Sequence, residues 1–99
     1  MDTSEGPSDR RAEGTFMIVN QLGLHARAAA QLVNLANRFE SKITVIKGRD
    51  AANGKSIMGV LMLAAAAGTR LKVDAEGPDC EEAVRRIGEL IGNRFGEDE

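Results

Sequence analysis

The sequence predicts an α+β domain of two layers, a four-stranded antiparallel sheet with three helices on one face, in the order β-α-β-β-α-β-α. Three observations predict it. Arg70 to Ala75 alternates strictly, with Leu71, Val73 and Ala75 apolar and Arg70, Lys72 and Asp74 charged, as a half-buried strand does. Two segments, around residues 26–38 and 80–94, carry apolar stripes at helical spacing. The 99 residues suit a single domain with one modest core.

The elements follow in order. Residues 1–14 hold Gly6, Pro7, two serines and six charged side chains, and are expected to be a disordered N-terminal extension. The domain is then expected over residues 15–97. Phe16 to Val19 is the first β-prone run, with Phe16 and Ile18 on one side. A helix starts near Ala26, where Ala29, Leu32, Val33 and Ala36 share a face opposite Arg27, Gln31, Asn34 and Arg38. Ile43 to Ile46 is a β-branched strand, Lys47 to Asp50 its turn, and Ala51-Ala52 a short third strand ended by Asn53-Gly54. Ser56 is an N-cap for a short apolar helix within Ile57–Ala67, stopped at Gly68. Asp79 with Glu82 three residues on reads as a capping box for the last helix, about Cys80 to Arg94.

Composition removes several functions. With 13 basic and 15 acidic side chains there is no polycationic surface for nucleic acid. One cysteine and one histidine exclude a disulfide framework and a zinc site built from several such ligands. Trp and Tyr are absent. No apolar run nears the roughly 18 residues of a membrane helix, and the first residues are no signal peptide, so a cytoplasmic monomer without cofactor is expected. Asn53 to Ser56 echoes the end of a phosphate-binding loop, but Arg49 stands where that motif needs its first glycine.

His25 is the one side chain suited to act as a neutral-pH nucleophile. It directly precedes a helix whose first-turn amides, at Arg27 and Ala28, lack intrahelical acceptors. A positive helix end favours the neutral ring and welcomes an anion, and Arg27 adds a cationic fork. The window Leu22 to Asn37 holds no acid that would repel phosphate. Those features fit a phosphoryl carrier. The competing reading is a capping or surface histidine. Ser56 invites a parallel choice. It is an ordinary N-cap, or it accepts phosphate beside Lys55, at the edge of a docking patch of Ile57, Met58 and Leu61. In the latter case phosphorylation of Ser56 regulates the carrier; the rival reading of the whole chain is a regulatory interaction module, its docking to a kinase or transcriptional regulator gated by phosphorylation of Ser56 or His25.

Gly23-Leu24-His25-Ala26-Arg27, followed by alanines, resembles the phosphorylation site of the histidine-containing phosphocarrier (HPr) family of the phosphoenolpyruvate-dependent phosphotransferase system. Gly54-Lys55-Ser56-Ile57-Met58-Gly59-Val60 resembles the same family's regulatory-serine signature, and Arg94-Phe95-Gly96-Glu97 its ending. The resemblance covers about residues 14–97. It implies the HPr-like open-faced β-sandwich, and a phosphoryl group on the Nδ1 nitrogen of His25 with Arg27 stabilising it. Enzyme I would be the donor and Enzyme IIA domains the acceptors. Ser56 would match the target of HPr kinase/phosphorylase, with Lys55, Ile57, Met58 and Leu61 in the docking surface. The chain departs from the pattern at Ala28, where the family usually has proline. That leaves the helix start less rigid and adds an N–H donor.

Overall fold

The computed structural model describes residues 10–99. Its elements are β1 (Arg11–Met17), α1 (Ala26–Ala36), β2 (Lys42–Lys47), β3 (Asp50–Asn53), α2 (Ile57–Met62), β4 (Arg70–Glu76) and α3 (Cys80–Gly92). The strands form one antiparallel sheet in the order β1-β4-β2-β3. β4 is thus an inner strand, and its buried Leu71, Val73 and Ala75 line one face. Ile43 and Val45 of β2 stand in register with Ala75 and Val73. Onto this face α1 lays Ala28, Ala29, Leu32, Val33 and Ala36, and α3 lays Ala83, Val84, Ile87 and Ile91. Each large side chain buried there stabilises the fold by about 1.5–3 kcal/mol.

β1 begins four residues before Thr15. Arg11 to Gly14 therefore belong to the sheet, which corrects the expected boundary of the extension. Residues 1–9 of that extension lie outside the described residues. The inward positions Ala12 and Gly14 carry little apolar area, so alternation is faint in the sequence. Gly14 is small by necessity, since a Cβ there would come within 2.8 Å of the Phe16 ring and 3.1 Å of Val84. The charges that read as a solvated tail are cross-strand pairs: Arg11 with Asp74 at 2.9 Å, and Glu13 with Lys72 at 3.1 Å. The Arg11 guanidinium, by hydrogen bond and charge, holds the Asp74 carboxyl below its ordinary range.

α2 ends at Met62 and does not run on toward Gly68. Ala64 has φ +51°, and the apolar chain beyond it turns to pair with the segment after β1. Leu24 N–H donates to the Ala65 carbonyl, and Ile18 exchanges bonds with Thr69 and Gly68, each at 2.8 Å. Those partners compete successfully with helix continuation.

Asp79 does not cap α3 with its side chain. Its carboxylate instead accepts from the Glu40 amide (2.9 Å), the Ser41 amide (3.0 Å) and Ser41 Oγ (2.6 Å). Glu82, the other half of the expected box, pairs with Arg85. Asp79 therefore ties the start of α3 to the corner entering β2. Partial desolvation pushes its carboxyl upward, but the three hydrogen bonds outweigh that and hold it below the ordinary range. Asp79→Ala is expected to destabilise by about 2–3 kcal/mol in urea unfolding, because the buried Ser41 hydroxyl loses its acceptor. Since the native carboxyl is depressed, this contribution is complete above about pH 3.9 and is lost as pH falls through the native value. An acid-unfolding midpoint unchanged by the substitution would refute this assignment.

Candidate functional site

The loop from Ile18 to Leu24 carries the chain from β1 to α1. Gly23 has φ +70°, and a Cβ on it would sit 2.7 Å from the Ala65 carbonyl oxygen, so only glycine fits there comfortably. Leu24 is buried beside it. These anchors set His25 at the N-cap of α1, with extended backbone angles of φ −74° and ψ −179°. Its carbonyl accepts from the Ala29 amide at 2.8 Å. Its imidazole makes no capping bond to the first turn, so the side chain is not spent on satisfying the helix end. The side chain is 28% exposed. Arg27 is exposed two residues on, and Ala28 is fully buried.

An acid does reach the ring. Glu97 Oε2 is hydrogen-bonded to His25 Nε2, although no acid lies near His25 in the sequence. The chain beyond α3 delivers it. Helix α3 stops at Gly92, not at Arg94. Arg94, Phe95 and Gly96 then take φ of +59°, +54° and +78°. Left-handed backbone at the two non-glycine residues costs about 1–2 kcal/mol each. Phe95, 2% exposed, is inserted into the core and holds the turn closed. Glu97 leaves this hook in extended conformation and lies against the loop before α1. Asn20, fully buried, donates from Nδ2 to Glu97 Oε1 (2.9 Å) and to the Gly23 carbonyl (2.8 Å). The Gln21 amide donates to the Glu99 main-chain oxygen at 2.9 Å. The Asn20 bond, then the His25 bond, and the nearby charge of Arg27 hold the Glu97 carboxyl below the ordinary range, against partial desolvation. Glu97 is therefore an anion at neutral pH, and its hold on the ring weakens only as pH falls through that lowered value.

Sequence reasoning did not find Asn20 or Glu97. The one available signal was the Phe-Gly-Glu ending just past a helix stop, which marks a segment turning back.

Ser56 does what an N-cap does: its Oγ accepts from the Gly59 amide at 3.1 Å. Lys55 is not turned toward it, because its ammonium donates to the Phe39 carbonyl at 2.7 Å. Ile57 and Met58 are exposed at 43% and 69%. Leu61 is half-buried and packs on the core, so the exposed member one turn on is Met62. Leu22, before His25, is also exposed. Cys80 is buried in the first turn of α3. Among the described residues no cluster of three or more side chains could hold a metal ion, and no helix is long and apolar enough to cross a membrane.

The profile of the family described as "PTS HPr component phosphorylation site" matches residues 12–93. The phosphocarrier protein HPr of Neisseria meningitidis serogroup A is 48% identical over 82 residues, 83% of this chain and 92% of that protein. A multiphosphoryl transfer protein of Haemophilus influenzae is 41% identical over 87 residues, which are 17% of its length. Fold and sequence together define a small phosphocarrier domain, one that in some proteins stands alone and in others forms part of a longer chain. The crystal structure of HPr-C-His from Thermoanaerobacter tengcongensis superposes with a TM-score of 0.85 at 44% identity, covering 89% of this chain and 99% of that one. The chain belongs to the HPr family of the phosphotransferase system.

Proposed function

We propose that His25 is the residue that carries the phosphoryl group, receiving it from Enzyme I and passing it to Enzyme IIA domains. The observation that carries this reading is a partly exposed imidazole at the N-cap of α1 that makes no capping bond. A lone pair on Nδ1 attacks phosphorus and forms an N–P bond. The donor's bond to phosphorus breaks, and its electron pair stays with the donor. Arg27 and the amides of Arg27 and Ala28 stabilise the phosphoryl oxygens. Ala28, in the place of the family's usual proline, adds one N–H to that set. The step calls for no cofactor, and the protein works in the cytoplasm as a monomer.

Exposed Ile57, Met58 and Met62 form the apolar part of the docking surface. Ser56 at its edge is proposed as the site read by HPr kinase/phosphorylase. A phosphate there adds about two negative charges. Lys55 is held on Phe39, so the new charge faces the partner. This supports docking control as an addition to the carrier role, not a replacement for it.

The test is incubation with phosphoenolpyruvate and Enzyme I, read by intact mass and by phosphorus NMR. One acid-labile phosphate bound to nitrogen is expected. Ser56→Asp should load at least tenfold more slowly while melting normally. Failure to load with several competent Enzyme I proteins would overturn the carrier reading. An unchanged loading rate in Ser56→Asp would overturn the role of Ser56.

A further inference from the structure

We infer that Asn20 determines which nitrogen of His25 is nucleophilic, acting through Glu97 as a positioning residue. The inference rests on the reading of His25 as phosphoryl acceptor.

A neutral imidazole carries a proton on one nitrogen and a lone pair on the other, and only the lone pair can attack. Nε2 faces a Glu97 oxygen. A carboxylate only accepts, so the proton belongs on Nε2 and the lone pair on Nδ1. Glu97 keeps that role only while its far oxygen is held and its carboxyl stays ionised. Asn20 does the holding, with one amide group spanning Glu97 Oε1 and the Gly23 carbonyl. Its orientation is fixed in one sense. Turned over, the amide would set its oxygen against a carboxylate and a carbonyl, three acceptors with no proton among them. Asn20 Oδ1 has no hydrogen-bond partner among the described residues, although it is buried. An orphaned buried oxygen is costly, and here it accompanies an amide whose two donors are committed to the site. The relay is Asn20 N–H to Glu97, and His25 Nε2–H to the same carboxylate. After transfer to Nδ1, the proton stays on Nε2, hydrogen-bonded to Glu97, and the ionised carboxylate balances the charge of the ring.

The relay makes an unusual prediction for Glu97→Gln. Glutamine offers one oxygen, which buried Asn20 claims. The glutamine NH₂ then faces Nε2, and the ring proton moves to Nδ1. In the double variant Asn20→Ala with Glu97→Gln, the glutamine is released to turn its oxygen to the ring, and the proton returns to Nε2.

The experiment is long-range ¹H–¹⁵N correlation of the His25 ring in the unphosphorylated full chain at about pH 8. Wild type is expected to show pyrrole-type Nε2 and pyridine-type Nδ1. Glu97→Gln is expected to reverse them, and the double variant to restore the wild-type pattern. Glu97→Gln keeps the Asn20–Gly23 tie, so it tests the relay without opening the loop. A wild-type ring protonated on Nδ1, an unreversed Glu97→Gln, or a double variant identical to Glu97→Gln would each overturn the inference. The tautomer is read without any phosphate present. Failed loading with these patterns intact therefore counts against the carrier reading alone, and normal loading without them counts against the relay alone.

Discussion

His25→Ala is expected to take up no acid-labile phosphate, at least 10³-fold below wild type, while melting within a few degrees of it. The loss is total because no other side chain of the chain offers a nucleophilic nitrogen at neutral pH in such a position. The fold survives because the ring makes no capping bond and is partly exposed, while the backbone bond from Ala29 to the residue 25 carbonyl does not depend on the side chain. Arg27→Ala separates attack from stabilisation. It leaves the nucleophile and removes a cation whose field already reaches Glu97, so transfer should slow by about 10²-fold. Loading is measured by intact mass against time. Phosphate retained by His25→Ala on any residue at wild-type rate would place the acceptor elsewhere.

The features that were legible in the sequence are local ones. β4 announces itself because every second residue is apolar, and α1 because four apolar side chains fall on one face. His25, Arg27 and the open helix start lie within a few residues of one another, so their placement at the start of α1 can be read in one window. The misread features each depend on a partner distant in the chain. β1 hides because its inward positions Ala12 and Gly14 carry little apolar area, Gly14 leaving room for Phe16 and Val84, and its charges make sense only beside β4. Asp79 looks like a helix cap until the corner at Glu40–Ser41 comes against it. Apolar composition said nothing of where α2 ends, because the Ala65 carbonyl is taken by Leu24. The absence of acid around His25 holds for the sequence window and fails in space, since Glu97 arrives from 72 residues away.

The hook that delivers Glu97 has a stability signature of its own, and Phe95→Ala exposes it. Two opposing effects meet at this residue. Its ring is 2% exposed, and deleting a buried phenylalanine side chain costs about 3–5 kcal/mol. Against that, Arg94 and Phe95 hold left-handed backbone that relaxes once the anchor is gone, returning about 1–2 kcal/mol per residue. The return at two residues, about 2–4 kcal/mol, offsets most of the burial, so the net loss should be about 1 kcal/mol and no more than about 3 kcal/mol. For a domain of this size each kcal/mol lowers Tm by about 4–8 °C. Phe95→Leu retains much of the burial and the turn, and should recover over half of that loss. The same release frees Glu97 from Asn20 and His25. The Asn20 side-chain amide resonances should then shift in Phe95→Ala and stay near wild type in Phe95→Leu. Calorimetry and amide NMR on the three proteins separate the outcomes. A variant that loses stability while the Asn20 resonances hold would mean that Glu97 finds the site without the hook. The strained turn would then serve packing alone.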